Sequence, residues 1–269
     1  MTLAMALLVL ALGGQTAQAN PQTDQRLEDS RLVFESFTFL TEQSIPGWLL
    51  ERAYGVVVVP RVIKGALGIG GRGGRGVMAV RNPDGTWSNP VFVTLAGVNI
   101  GFQIGVQSTD VVLVLMSRMS VEGIAGGKVT LGADASVAAG PVGRSATAAT
   151  DATLKAQVLS YSRNEGIFAG VALDGTVISV DNASNASAYG VSDILPSQIL
   201  GGSPSMAPPA AQAFTASLNK ATSGAATPAP AATPPEAVQP PADPAEPGPA
   251  DGATTFPMED PEPGAPPPT

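Results

Sequence analysis

Hydrophobic spacing divides the chain into a helical start, a long β-rich middle and a tail without periodicity. Between residues 23 and 43, Leu27, Phe34, Phe37 and Leu40 recur at intervals of seven, three and three. That spacing predicts an amphipathic helix with Thr23 as its cap, and Leu32, Val33 and Phe39 widen its apolar face. Pro46 opens a second, short helix over residues 47–53, with Trp48, Leu49 and Leu50 as its apolar content. From Gly55 the period changes. Residues 56–59 are four valines, as in a strand buried on both faces. Strands follow at 75–81 and 91–95, around the turn signal Asn82-Pro83-Asp84-Gly85. Residues 98–107 alternate strictly, with Val98, Ile100, Phe102, Ile104 and Val106 on one face and small or polar residues on the other. Residues 110–116 read as another buried strand, and 119–125 as a short helix closed by Gly126-Gly127.

Further on, residues 131–160 are rich in Ala, Ser, Thr and Gly, with a strand expected at 154–160. Residues 167–173 and 177–180 flank Asp174-Gly175, a hairpin signal. Asp181-Asn-Ala-Ser-Asn185 reads as a turn, and residues 193–200 as a last short helix capped by Ser192. The expected fold is α+β: a largely antiparallel, curved or barrel-like sheet with N-terminal helices and a short C-terminal helix. Its glycines suit tight bends and bulges where strands curl.

The ends differ from this domain. Residues 1–19 read as an export signal, cleaved after Ala19: an apolar run from Leu3 to Leu12, then Ala17-Gln18-Ala19. The expected location is the periplasm or cell envelope. Residues 203–269 hold 18 of the 25 prolines and seven acids, and read as a disordered, acidic Pro/Ala-rich tail. That tail carries most of the formal net charge of −8, so the domain expected at 21–201 is close to neutral. Nucleic acid is thereby a poor partner.

The chain has no His and no Cys, so it lacks the commonest acid/base, the commonest metal ligand and the thiol nucleophile. No disulfide forms, and neither a metal nor a cofactor is expected. Gly68-Ile-Gly-Gly-Arg-Gly73 fits G-x-G-x-x-G, but the residues after it read as a strand where a dinucleotide site needs a helix. What remains is positive charge set among glycines. Residues 52–83 carry Arg52, Arg61, Lys64, Arg72, Arg75 and Arg81 with no acid, around the run Gly65-Ala-Leu-Gly-Ile-Gly-Gly-Arg-Gly-Gly-Arg-Gly76. Glycine lets a backbone approach a ligand, and Arg and Lys supply charge for anionic oxygens. Binding of an anion therefore fits better than catalysis.

Tyr54-Gly-Val-Val-Val-Val-Pro60, the glycine block 65–76, Trp87-Ser-Asn-Pro90 and Gly101-Phe-Gln-Ile-Gly105 together resemble the SYLF-domain lipid-binding proteins. So do residues 131–144, Ser160-Tyr-Ser-Arg163, residues 166–175 and residues 185–190, all in the same order. The resemblance covers about residues 45–200. It implies binding of phospholipids, phosphoinositides in eukaryotic members, without enzymatic activity; some eukaryotic members also bind actin. Residues 119–123 depart from the Ala-Leu-containing helix of the family.

The expectation is an exported, non-enzymatic module that binds anionic phospholipid at Arg61, Lys64, Arg72 and Arg75. Trp48, Leu49 and Leu50 would meet acyl chains, and Arg144 is a further candidate. The alternative is a protein-interaction or envelope-structural module tethered by its Pro-rich tail. A carboxylate-only hydrolase built on Asp134 and Asp151 is a third reading.

Overall fold

The computed structural model describes residues 20–39, 44–142, 155–164, 167–169 and 173–223, with backbone alone at 66–69, 99–106, 164, 167–169 and 204. Two very long strands, β1 (Gly55–Val80) and β2 (Val91–Leu115), run antiparallel from Gly55↔Leu115 to Met78↔Val91. Register shifts between Val59 and Val62 and between Ala66 and Gly68 bend the pair. The other edge of β2 is shared. Its Val93–Gly97 part pairs with β7 (Thr176–Val180), and its Asp110–Leu115 part with β5 (Val158–Asn164). Short strands β3 (Lys128–Thr130), β4 (Val137–Ala139) and β6 (Ile167–Ala169) extend the sheet beside β7 and β5. Among the described strands the β4–β5 pairing is parallel and the others are antiparallel.

Strand β1 also curls back on itself. A Cβ at Gly74 would lie 2.7 Å from Val59 Cγ1, and the N–H of Arg81 donates to the carbonyl of Tyr54 at 2.9 Å. The curl brings its valine-rich start over its glycine-rich end. Val56–Val59, Val77, Met78, Phe92 and Val111–Leu115 are all buried inside it.

Helices close the open side. Helix α1 (Pro21–Thr38) buries Leu27, Phe34 and Phe37, and α2 (Gly47–Arg52) buries Leu49 and Leu50. Helix α3 (Arg118–Ala125), capped by Ser117 and ended at Gly126, follows β2 as its spacing predicts. Helix α4 is Asn182–Tyr189, α5 is Pro196–Leu200 and α6 is Pro209–Ser223. No helix among the described residues is long and apolar enough to cross a membrane.

The α+β class, the curled and largely antiparallel sheet and the N-terminal helices are as the sequence predicts. Several details differ. The cap of α1 is Asn20, whose side chain accepts from the N–H of Gln22; Thr23 is buried and donates its hydroxyl to the Asn20 carbonyl. The strands expected separately at 56–59 and 75–81 are the two ends of β1. Those expected at 91–95, 98–107 and 110–116 are parts of β2. Glycines between them permit bulges without ending the strand. The turn at Asp174-Gly175 forms, with the N–H of Thr176 donating to the Leu173 carbonyl at 3.0 Å. Its flanks do not pair as a hairpin among the described residues: β6 joins β5, while β7 joins β2 and β3. Residues 182–189 are a helix where a turn was expected, because Asp181 caps it through the N–H of Ser184 and Gly190 ends it at φ 66°. Helix α5 begins only at Pro196, since Asp193 sits at φ 55°, outside helical geometry.

The largest correction is α6. It lies within residues 203–269, which composition assigned to a disordered tail, and so carries the domain past residue 201 to 223. Pro209 is tolerated in a first helical turn, and Ala211, Phe214, Leu218 and Ala221 form a buried stripe. Phe214 meets Phe34 of α1 edge-on, with ring centroids 6.4 Å apart. Residues 1–19, read from the sequence as an export signal, and the residues beyond 223 lie outside the described residues.

Candidate anion-binding cleft

The bulge in β1 after Val59 places Arg61 at the surface, next to a buried Pro60. Arg61 adopts φ 49°, a left-handed conformation that costs a non-glycine residue about 1 kcal/mol or more. Its N–H donates to Asp110 Oδ1 at 3.0 Å, which holds the bulge to β2. Its side chain, 69% exposed, forms an ion pair with Asp29 on α1.

Here the start of α1, the bulge and the returning segment Gly73–Arg75 surround an open cleft of about 1010 Å³. Arg26, Arg61 and Arg75 line it, with Asp29, Ile63 and Thr94. The three arginines are not equivalent. Arg26 donates to Asp181 Oδ2 at 2.9 Å and lies 5.3 Å above the Phe92 ring, so its charge is already matched. Asp181 is held below the ordinary carboxylate range: burial works to raise its pKa, but hydrogen bonds from the Ser184 hydroxyl, Arg26 and the Ser184 N–H, with the Arg26 charge, outweigh it. Arg61 is shared with Asp29. Arg75, opposite Thr94 in the β1–β2 register, is exposed and makes no ion pair among the described residues. The cleft therefore presents one unmatched guanidinium and one that a ligand can draw from Asp29.

Of the eight residues expected to meet lipid, the fold gathers Arg61 and Arg75 in this cleft. Lys64 is exposed on β1 opposite Gln107, outside the cleft lining. Arg72 is half-buried opposite Gly97 and also outside it. Trp48 is 36% exposed on α2, beneath Arg52 at 5.7 Å, and does not line the cleft. Leu49 and Leu50, expected to meet acyl chains, are buried in the core instead, because α2 turns that face inward. Arg144 and Asp151 lie outside the described residues. Asp134 caps a turn, accepting from the N–H of Thr130 at 2.8 Å. Sequence reasoning missed Arg26 and Asp29. Their signal was their spacing of three on the polar side of α1, which marks neighbours on one helical face. Among the described residues no group of three or more carboxylates is placed to hold a metal.

Residues 96–221 match the Ysc84 family, described as "Las17-binding protein actin regulator". The match runs into α6, consistent with that helix being part of the domain. Protein YSC84 of Saccharomyces cerevisiae is 40% identical over 155 residues, 56% of this chain and 33% of its own length. LAS seventeen-binding protein 3 of the same species is 39% identical over 155 residues, 56% of this chain and 34% of its own. SH3 domain-containing YSC84-like protein 1 of Homo sapiens is 35% identical over 163 residues, 58% of this chain and 47% of its own. The chain thus spans a third to a half of the length of these relatives. Over residues 96–221, then, the chain carries a domain of the Ysc84, or SYLF, family.

Proposed function

We propose that this domain binds anionic phospholipid headgroups without catalysing a reaction, and that the cleft between α1 and β1 is the headgroup site. The observation that carries the reading is Arg75, exposed and without an acidic partner among the described residues, beside Arg61 in one cleft. A guanidinium fork matches the oxygens of a phosphate, and its planar donors favour two-point contact. Lys64, exposed on the same strand, adds charge near a bilayer without entering the cleft. Each such charge contributes about 1 kcal/mol at an anionic surface, and only within about 8 Å of it at physiological salt. Export to the cell envelope through the leader-like segment 1–19 belongs to the same proposal.

A second reading rests on the family description, which names a Las17-binding actin regulator. In it the domain docks a protein partner, with the Pro-rich segment as tether or ligand.

Co-sedimentation of the protein with anionic and with zwitterionic vesicles, at low and high salt, tests the first reading. It predicts binding to anionic vesicles alone, weakened by salt. Absence of binding to both would transfer the function to the protein-partner reading.

A further inference from the structure

A second cavity, of about 510 Å³, lies away from the cleft, among α2, the end of β1, α3 and the end of α5. That volume is in the range of small-molecule sites, about 300–1,000 Å³. Its walls combine apolar surface from Val121 and Leu200 with the ring of Tyr54. Five charged side chains line it: Glu51 and Arg52 from α2, Arg81 just past β1, and Arg118 and Glu122 from α3.

The four charges on the helices are arranged unusually. Arg118 and Glu122 are one helical turn apart, the spacing at which opposite charges pair, yet no ion pair joins them. None of the four makes an ion pair among the described residues. The guanidiniums lie instead over rings, Arg52 over Trp48 at 5.7 Å and Arg118 over Tyr54 at 5.9 Å. Stacking on an aromatic face restricts a guanidinium while leaving its N–H donors in plane for a ligand. A third arginine, Arg81, is committed: it donates to the Leu50 carbonyl at 3.0 Å and covers Trp87 at 5.5 Å. The cavity thus offers two positive donors, two carboxylates and an apolar wall.

We propose that this cavity binds a small zwitterion with an apolar body: an amino acid or short peptide with free amino and carboxylate groups and apolar side chains. Its carboxylate is taken by Arg52 and Arg118, whose fork matches a carboxylate in two-point geometry. Its ammonium is met by Glu51 and Glu122. Its side chains pack on Val121, Leu200 and the Tyr54 ring. A purely anionic ligand leaves the two glutamates facing it, and a purely cationic one leaves the two arginines. Only a ligand with both charges satisfies all four groups.

The dipeptide leucyl-phenylalanine is the probe, titrated into the protein and followed by calorimetry and by tryptophan fluorescence. Both tryptophans report on the site, since each lies under an arginine that lines it. Saturable binding is expected, weakened at least about tenfold when the dipeptide is N-acetylated and C-amidated. Arg118→Gln and Glu122→Gln, both at exposed helix positions and checked by thermal melting, should each weaken binding of the free dipeptide and not of the blocked one. Arg75→Ala should leave it unchanged, which separates this site from the headgroup cleft. Absence of saturable binding, equal binding of free and blocked dipeptides, or unchanged affinity in either glutamine variant overturns the proposal.

Discussion

A methyl group added at Gly76 would lie 2.0 Å from the carbonyl oxygen of Val58, on the same strand. The neighbouring atoms, Val58 C and Val59 Cα, would be 2.8 Å away. All three are backbone, so nothing flexible gives way. Gly76→Ala must force the two ends of β1 apart. We expect a loss of about 3 kcal/mol or more in denaturant unfolding, at the upper end of overpacking costs. Gly65→Ala, where a Cβ meets nothing within 4 Å, should change stability by less than about 1 kcal/mol. Equal losses at both positions would show that the curl does not depend on close approach at Gly76.

Asp29 competes with any anion for Arg61. It accepts from Arg61 and, through Oδ1, from Gln25 at 2.8 Å. Asp29→Asn keeps an acceptor for Gln25 and removes the competing charge. Affinity for anionic vesicles should rise roughly fivefold, the effect of one added positive charge near the surface. A fall in affinity would mean that the ion pair positions Arg61 for binding.

Helix α6 is predicted to be integral to the domain. Phe214 is fully buried against Phe34, and the Ser217 hydroxyl donates to Glu35 Oε1 at 2.6 Å. Phe214→Ala should cost about 3–5 kcal/mol by urea or thermal unfolding. A loss below about 1 kcal/mol would show α6 to be dispensable.

What was legible in the sequence follows from the range of the interactions involved. The four-valine run at 56–59, Pro46 before α2 and Gly126-Gly127 after α3 act within a few residues, and those elements appear where expected. The continuity of β1 and β2 was hidden because glycine-rich stretches look like breaks locally. They hold as strands through pairing with one another along most of their length. Helix α6 was masked by the prolines around it, although its own stripe of Ala211, Phe214 and Leu218 is helical in period. The cleft was half legible. Arg61 and Arg75 stood out by charge among glycines, but their meeting depends on the curl of β1, and the opposing wall comes from α1. Lys64 and Arg72 share the same composition, and the register turns them elsewhere. Leu49 and Leu50 beside Trp48 show that apolar content alone does not say which side of a short helix faces solvent.

Asp181 gives the domain a specific acid sensitivity. Its pKa is lowered on folding, so its contribution to stability is present above the unfolded carboxylate value, about 3.9, and is lost as pH falls through the lower folded value. Protonation would release Arg26 and the cap of α4 together. Asp181→Asn should be less stable than the parent at pH 7, with a stability curve flatter below pH 4 by comparison. Parallel curves for the two proteins from pH 2 to 7 would remove Asp181 from the account.

The most direct test of the headgroup site compares two double variants of the full chain on anionic vesicles. Arg61→Ala with Arg75→Ala removes the two guanidiniums of the cleft that a ligand can engage; Arg52→Ala with Arg118→Ala removes as much positive charge from exposed positions lining the second cavity. The account predicts that the first loses vesicle binding, by roughly tenfold or more, while the second retains most of it. Equal weakening in both would reduce the interaction to general surface charge, and full binding by the first variant would contradict the cleft as the site.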